Sequence, residues 1–131
     1  MRIVFDTDVF VSAFESLGDS ASAALERILD GKDRLLISKP VIDELLGVLA
    51  RKFSRDPAYL ARTALFLVEI AETVQPIDQL QVFADDPDNR ILECAIAGRA
   101  DAIVTGDRAM LKLGRYANVR IISLRAYLES S

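Results

Sequence analysis

The chain has 131 residues, 51% of them hydrophobic and 27% charged, with a formal net charge of -4. This composition fits one soluble globular domain over residues 1–131, long enough to bury a core, and argues against broad non-specific binding of nucleic acid. With no histidine and one cysteine, Cys94, it excludes a histidine general base, serine–histidine and cysteine–histidine nucleophiles, nitrogen- or sulfur-ligated zinc and an internal disulfide.

The first element is Ile3-Val4-Phe5, a short buried strand, followed directly by Asp6-Thr7-Asp8 and then the apolar turns of Val9, Phe10, Val11, Ala13 and Phe14. Asp6 can cap this helix, but two acids flanking Thr7 just past a buried strand also suit a site. An acid at the sixth residue interrupts any signal-peptide core, and no apolar run approaches the roughly 20 residues that span a bilayer, so a cytoplasmic protein without a membrane segment is expected. The spacing of Ala21, Ala24, Leu25, Ile28 and Leu29 predicts a helix over 20–30, ended by Gly31. Leu35-Leu36-Ile37 is the second strand, and Ser38-Lys39-Pro40 starts a helix with proline in its first turn. In that helix Val41, Ile42, Leu45, Leu46, Val48 and Leu49 fill one face. At 100° per residue Glu44 borders this face, and Asp43 lies slightly farther round.

Arg51, Lys52, Arg55 and Arg62 surround the corner before the helix over 58–71, which is apolar enough to be buried on more than one side. Such a cluster is ordinary solvated surface or a hold on a phosphate backbone. Thr73-Val74 is a short third strand and 76–80 a connection. Asp85, Asp86 and Asp88 then crowd the start of a helix carrying Ile91, Leu92, Cys94, Ala95 and Ile96, stopped by Gly98. Ala102-Ile103-Val104 is a buried strand ended by Thr105-Gly106, which places Asp107 just beyond its C-terminal end. A short helix over 108–113 stops at Gly114, Val119 to Ile122 is the last strand, and Ser123 caps the helix from Leu124 to Glu129. Strands alternating with helices imply right-handed crossovers and a parallel sheet covered on both faces, a three-layer α/β/α domain.

Ligands of such sheets bind beyond the carboxyl ends of the strands. Asp6 and Asp107 leave strand ends there, Asp88 opens a helix, and Glu44 stands about one turn into the helix after the second strand. Each acid alone has a plain structural explanation. Together, four carboxylates in one pocket repel each other and either protonate in part or bind cations, and an oxygen-only set favours Mg²⁺ or Mn²⁺.

The runs Ile-Val-Phe-Asp-Thr-Asp-Val-Phe, Ser-Lys-Pro-Val-Ile-Asp-Glu-Leu, Asp-Pro-Asp-Asn-Arg-Ile-Leu-Glu-Cys-Ala and Ile-Val-Thr-Gly-Asp resemble, in order and spacing over nearly the whole chain, the PIN domain, and more narrowly the VapC-type toxins of toxin–antitoxin pairs. The resemblance implies a metal-dependent ribonuclease whose acids hold one or two Mg²⁺ or Mn²⁺ ions against an RNA phosphodiester. By motif, the catalytic and metal-binding residues are Asp6, Glu44, Asp88 and Asp107. Thr105 matches the small hydroxyl residue beside the site, and Ser12 is a further polar neighbour. The family usually has asparagine where Asp8 stands, so this chain adds a negative charge beside Asp6. Asp85 and Asp86 compete for the role of Asp88, with Asp86 the fallback in an outer position. The resemblance also implies a cognate antitoxin laid over the acidic groove, and a homodimer through the apolar helices around Leu45 to Leu67, although a buried helix gives the same pattern.

Two other readings stand beside this one. A catalytically silent module that binds RNA or protein on the same fold suits the net charge of -4 but leaves an acidic pocket with no use for its self-repulsion. A phosphoryl-accepting receiver needs a lysine after a late strand, where this chain has Ser123.

Overall fold

In the computed structural model, which describes residues 1–130, the chain runs β1 (Arg2–Phe5), α1 (Thr7–Phe14), α2 (Asp19–Leu29), β2 (Arg34–Ile37), α3 (Lys39–Phe53), α4 (Pro57–Ile70), β3 (Ala71–Thr73), α5 (Asp86–Ala97), β4 (Ala102–Val104), α6 (Arg108–Leu113), β5 (Arg115–Tyr116), β6 (Val119–Ile122) and α7 (Leu124–Glu129). One sheet takes all six strands in the order β3-β2-β1-β4-β6-β5. Ile3, Val4, Phe5, Leu35, Leu36, Ile37, Ala102, Ile103 and Val104 are all buried. Because successive strand side chains point to opposite faces, uninterrupted burial along β1, β2 and β4 means that both faces of the sheet are covered. This is the expected three-layer α/β/α arrangement. None of the described helices is long and apolar enough to cross a membrane.

The order of the strands sets the site. From β1 the chain moves outward to β2 and β3, then returns across the sheet through α5 to enter β4 on the other side of β1. Both neighbours of β1 are parallel to it, with Phe5 opposite Val104 in register. The C-terminal ends of β1 and β4 therefore lie side by side at the point where the winding reverses, the place where open α/β sheets form their crevice. The backbone N–H of Asp6 donates to the Val104 carbonyl at 2.9 Å, extending this pairing one residue into the site.

Several expectations need correction. The sheet is not wholly parallel, since β5 pairs antiparallel with β6 through Arg115–Arg120 and Tyr116–Val119; two residues are too few to leave a periodic pattern in the sequence. The third strand covers 71–73 rather than 73–74. The helix α4 is not buried on more than one side: Thr63 and Leu67 are buried, while Leu65 and Val68 are 58% and 45% exposed. Gly98 does end α5, as expected, but without a left-handed turn of its own. Its φ is −87°, and Arg99 takes the positive φ of 53°.

Gly98 is required for a different reason. A Cβ there would lie 2.6 Å from Leu36 Cδ1 and 3.3 Å from the Cys94 carbonyl oxygen, so the end of α5 packs directly on β2. Cys94, one turn earlier, is fully buried, and burial pushes its thiol up to about 12, which leaves it an inert core side chain. At the C-terminal end, Ser123 caps α7 as expected by accepting from the Ala126 N–H at 3.0 Å. The buried Tyr127 holds that helix down through a 2.7 Å hydrogen bond from its hydroxyl to Asp33.

If close packing sets Gly98, then Gly98→Ala should cost about 1–3 kcal/mol, the usual penalty for overfilling a tight core. Most of that cost should vanish in a Leu36→Val background. The check is a double-mutant cycle on urea midpoints; equal costs in both backgrounds would show that Leu36 is not the obstacle.

Candidate functional site

Asp6 is placed by two hydrogen bonds that use both of its oxygens. Oδ1 accepts from the Thr7 N–H at 2.7 Å, capping α1, and Oδ2 accepts from the buried Thr105 hydroxyl at 2.6 Å. The same Thr105 oxygen accepts from the Asp107 N–H at 2.9 Å, while Asp107 Oδ1 caps α6 by accepting from Met110 N–H at 2.9 Å. One hydroxyl thus ties the end of β1 to the turn after β4. Asp8 clasps that turn from the other side, its Oδ2 accepting from the Gly106 N–H at 2.9 Å. A Cβ on Gly106 would sit 2.7 Å from that oxygen, so the bond needs the glycine.

The opposing wall comes from α3 and the start of α5. An open cavity of about 540 Å³ is lined by Asp6, Asp8, Ser12, Glu44, Lys52, Asp85 and Asp88, with Val11, Leu17, Val48 and Phe53 giving it an apolar side. Glu44 and Asp43, which helical spacing distinguishes only slightly, point to different surroundings. Glu44 is half-buried and faces the cavity, whereas Asp43 is exposed and pairs with Lys39 at 2.7 Å. Asp107 does not line this cavity but meets the group from the side of β4, because carboxylate oxygens of Asp85, Asp88 and Asp107 all lie within 4.8 Å of one another. The tightest trio therefore contains two of the four motif acids, together with Asp85; Asp6 and Glu44 stand farther out around the same space. Asp86 is 74% exposed along its side chain and pairs with Arg90 at 3.3 Å. The i, i+3 spacing of Asp85 and Asp88 at the start of a helix is the sequence signal for their convergence, since residues so spaced share a face.

The electrostatics follow from this crowding. Burial, then the charge of Asp8, raises Asp6 to about 6 against the pull of its hydrogen bonds to Thr105 and Thr7. Asp88 rises further, to about 7, first through burial and then through the charges of Asp107, Asp6, Asp85 and Asp8. Asp8 is also raised, with loss of hydration as the first cause. Asp88 is 5% exposed, and its Oδ2 has no hydrogen-bond partner. An unpartnered carboxylate oxygen buried among other carboxylates is costly unless something positive meets it. A hard divalent cation fits this donor set, which offers oxygens and neither imidazole nor thiolate.

Residues 2–109 match the family model of the PIN domain. No curated protein matches the sequence. Among solved structures, the chain is similar to one in the crystal structure of VapBC2 from Rickettsia felis bound to a DNA fragment from their promoter. That match has 21% identity and a TM-score of 0.64 and covers 94% of this chain and 98% of that one. It is also similar to a chain of the 2.2 Å resolution structure of VapBC-1 from nontypeable Haemophilus influenzae, at 16% identity and a TM-score of 0.67, covering 95% and 99%. At these identities the likeness is one of fold.

Both raised carboxyls titrate above the roughly 3.9 of an unfolded aspartate, so the folded chain keeps protons that the unfolded chain has released. Without metal, their contribution to stability is fully present below about pH 4 and is lost as pH rises through about 6 for Asp6 and about 7 for Asp88. Thermal melts in EDTA should therefore give a higher melting temperature at pH 5 than at pH 8. At pH 8, Asp88→Asn should recover on the order of 1–3 kcal/mol by removing a confined charge. A variant no more stable than the parent at pH 8 would count against Asp88 as a strained carboxylate.

Proposed function

Because the chain belongs to the PIN domain family, we propose that it is a metal-dependent endoribonuclease, acting in the cytoplasm as the toxin of a toxin–antitoxin pair. The observation that carries this reading is the buried, unpartnered Oδ2 of Asp88, set among Asp6, Asp85 and Asp107 where the sheet reverses its winding. Asp6, Glu44, Asp88 and Asp107 would hold Mg²⁺ or Mn²⁺, with RNA entering through the open side of the cavity. Held there, such an ion would supply activation of a water and neutralisation of charge on the phosphate oxygens.

The chain's own residues do the positioning. Thr105 donates to Asp6 and so fixes the direction in which that carboxylate presents its remaining lone pairs. Asp107 is held by its role as the α6 cap, which fixes its backbone on the site side of β4. Asp8 binds Gly106 and keeps the turn after β4 against α1, while its charge adds to the field that draws a cation in. Lys52 is the one cation among the residues lining the cavity and stands ready to meet a phosphate. The similar structures are of VapBC2 and VapBC-1, the former bound to promoter DNA. This supports an antitoxin as the partner that covers the groove.

The test is cleavage of a mixed-sequence single-stranded RNA in Mn²⁺, Mg²⁺ or EDTA. Cleavage should require the metal, fall by more than about 100-fold in Asp6→Asn and Asp88→Asn, and persist in Asp43→Asn, whose carboxylate is turned away from the site. Metal-independent cleavage, or cleavage that survives both site changes, would overturn the assignment. Thr105→Val keeps the shape of the side chain but removes its hydrogen bonds. It should lower the rate about 10–100-fold while leaving the protein folded by circular dichroism.

A further inference from the structure

The acidic run before α5 holds three aspartates, and the family motif assigns only Asp88. Asp85 occupies the N-cap position of α5, where an aspartate normally accepts a hydrogen bond from the first turn. Asp6, Asp56 and Asp107 all do so at the starts of α1, α4 and α6. Asp85 makes no such bond. Its carboxylate lies instead against Asp88 and Asp107, within 4.8 Å of each, on the wall of the cavity. Forgoing a cap and facing two like charges are both unfavourable, and a cation shared with the buried Asp88 Oδ2 relieves both.

The neighbouring residues hold this arrangement in place. Arg90 reaches back with Nη1 to Asp86 at 3.3 Å and with Nη2 to Glu93 at 2.7 Å, so Asp86 is drawn to the outer side of the helix. The buried Asn89 accepts from the Val82 and Phe83 N–H groups at 3.0 and 2.8 Å and donates to the Phe83 carbonyl at 2.9 Å. Glu93, also buried, accepts from the Leu80 N–H at 2.8 Å. The connection leading to Asp85 is thereby strapped to the helix that carries Asp88.

We propose that Asp85 is an additional metal ligand of this centre, and that Asn89 and Arg90 are positioning residues that select it over Asp86. The inference rests on the metal-site reading above and extends it to an acid outside the family motif. The test is calorimetric titration of Mn²⁺ into the full-length protein stripped of metal, comparing the parent with Asp85→Asn and Asp86→Asn. The two variants remove the same charge from adjacent positions, so Asp86→Asn sets the scale of a field effect that involves no ligation. Asp85→Asn should bind Mn²⁺ at least about tenfold more weakly, and Asp86→Asn within about twofold of the parent. Asparagine is a good N-cap, so the fold should survive, and Asp85→Ser repeats the comparison with a different capping side chain. Parent-like affinity in Asp85→Asn, or equal weakening in Asp86→Asn, would overturn the role of Asp85 alone. A parent protein that binds no Mn²⁺ would overturn the metal site itself.

Discussion

The Thr105 hydroxyl reaches a residue 99 positions away, donating to Asp6 at the end of β1, and accepts from the backbone of Asp107 after β4. A hydroxyl in this position has one proton to give, and giving it to Asp6 leaves its oxygen free for the Asp107 N–H. Both strand ends are thus fixed by a single buried group that carries no charge. A lysine or arginine there would neutralise the carboxylates and abolish the field between them. The neutral link holds the acids close while leaving their charge uncompensated.

That uncompensated charge has to be supported from below. Phe5 at the end of β1 packs edge-to-face against Phe10 of α1 at 5.6 Å and Tyr127 of α7 at 5.9 Å, and Phe10 stacks on Phe14 at 6.0 Å. The helix that presents Asp8 and Ser12 to the cavity is therefore seated on an aromatic layer by its other face. Such pairs contribute about 0.5–1.5 kcal/mol each beyond the area they bury, comparable in size to one displaced pKa unit. The site has the character of a strained region held by its surroundings, and its rigidity comes from the core rather than from bonds among the acids.

Much of this was legible in the sequence because it depends on local periodicity. The strand-acid-helix order at Ile3 to Phe14 and the strand-Thr-Gly-Asp order at 102–107 each fix where an acid emerges, whereas the helical angle of α3 distinguishes Glu44 from Asp43 only slightly. Asp85 and Asp86 are ranked only in part in that way. The i, i+3 spacing sets Asp85 on the face of Asp88, but what holds Asp86 outward is the reach of Arg90 and a strap made by Asn89, contacts with no periodic signature. The same limit explains α4. Its apolar residues predict a helix correctly, but whether Leu65 and Val68 are covered depends on what packs against it.

The sheet ends on one side in the two residues of β5 and on the other in the three of β3. Strand addition by another protein needs a run of free N–H and C=O groups long enough to register several hydrogen bonds, and neither border offers one. The fold is therefore poorly suited to recruiting a companion by backbone templating, and equally resistant to the edge-on stacking by which exposed sheets aggregate. The surfaces left for recognition are the side chains of its helices and of the cleft mouth. Those surfaces can diversify in sequence without disturbing the hydrogen-bonded frame beneath them, which leaves room for selective pairing among proteins that share it.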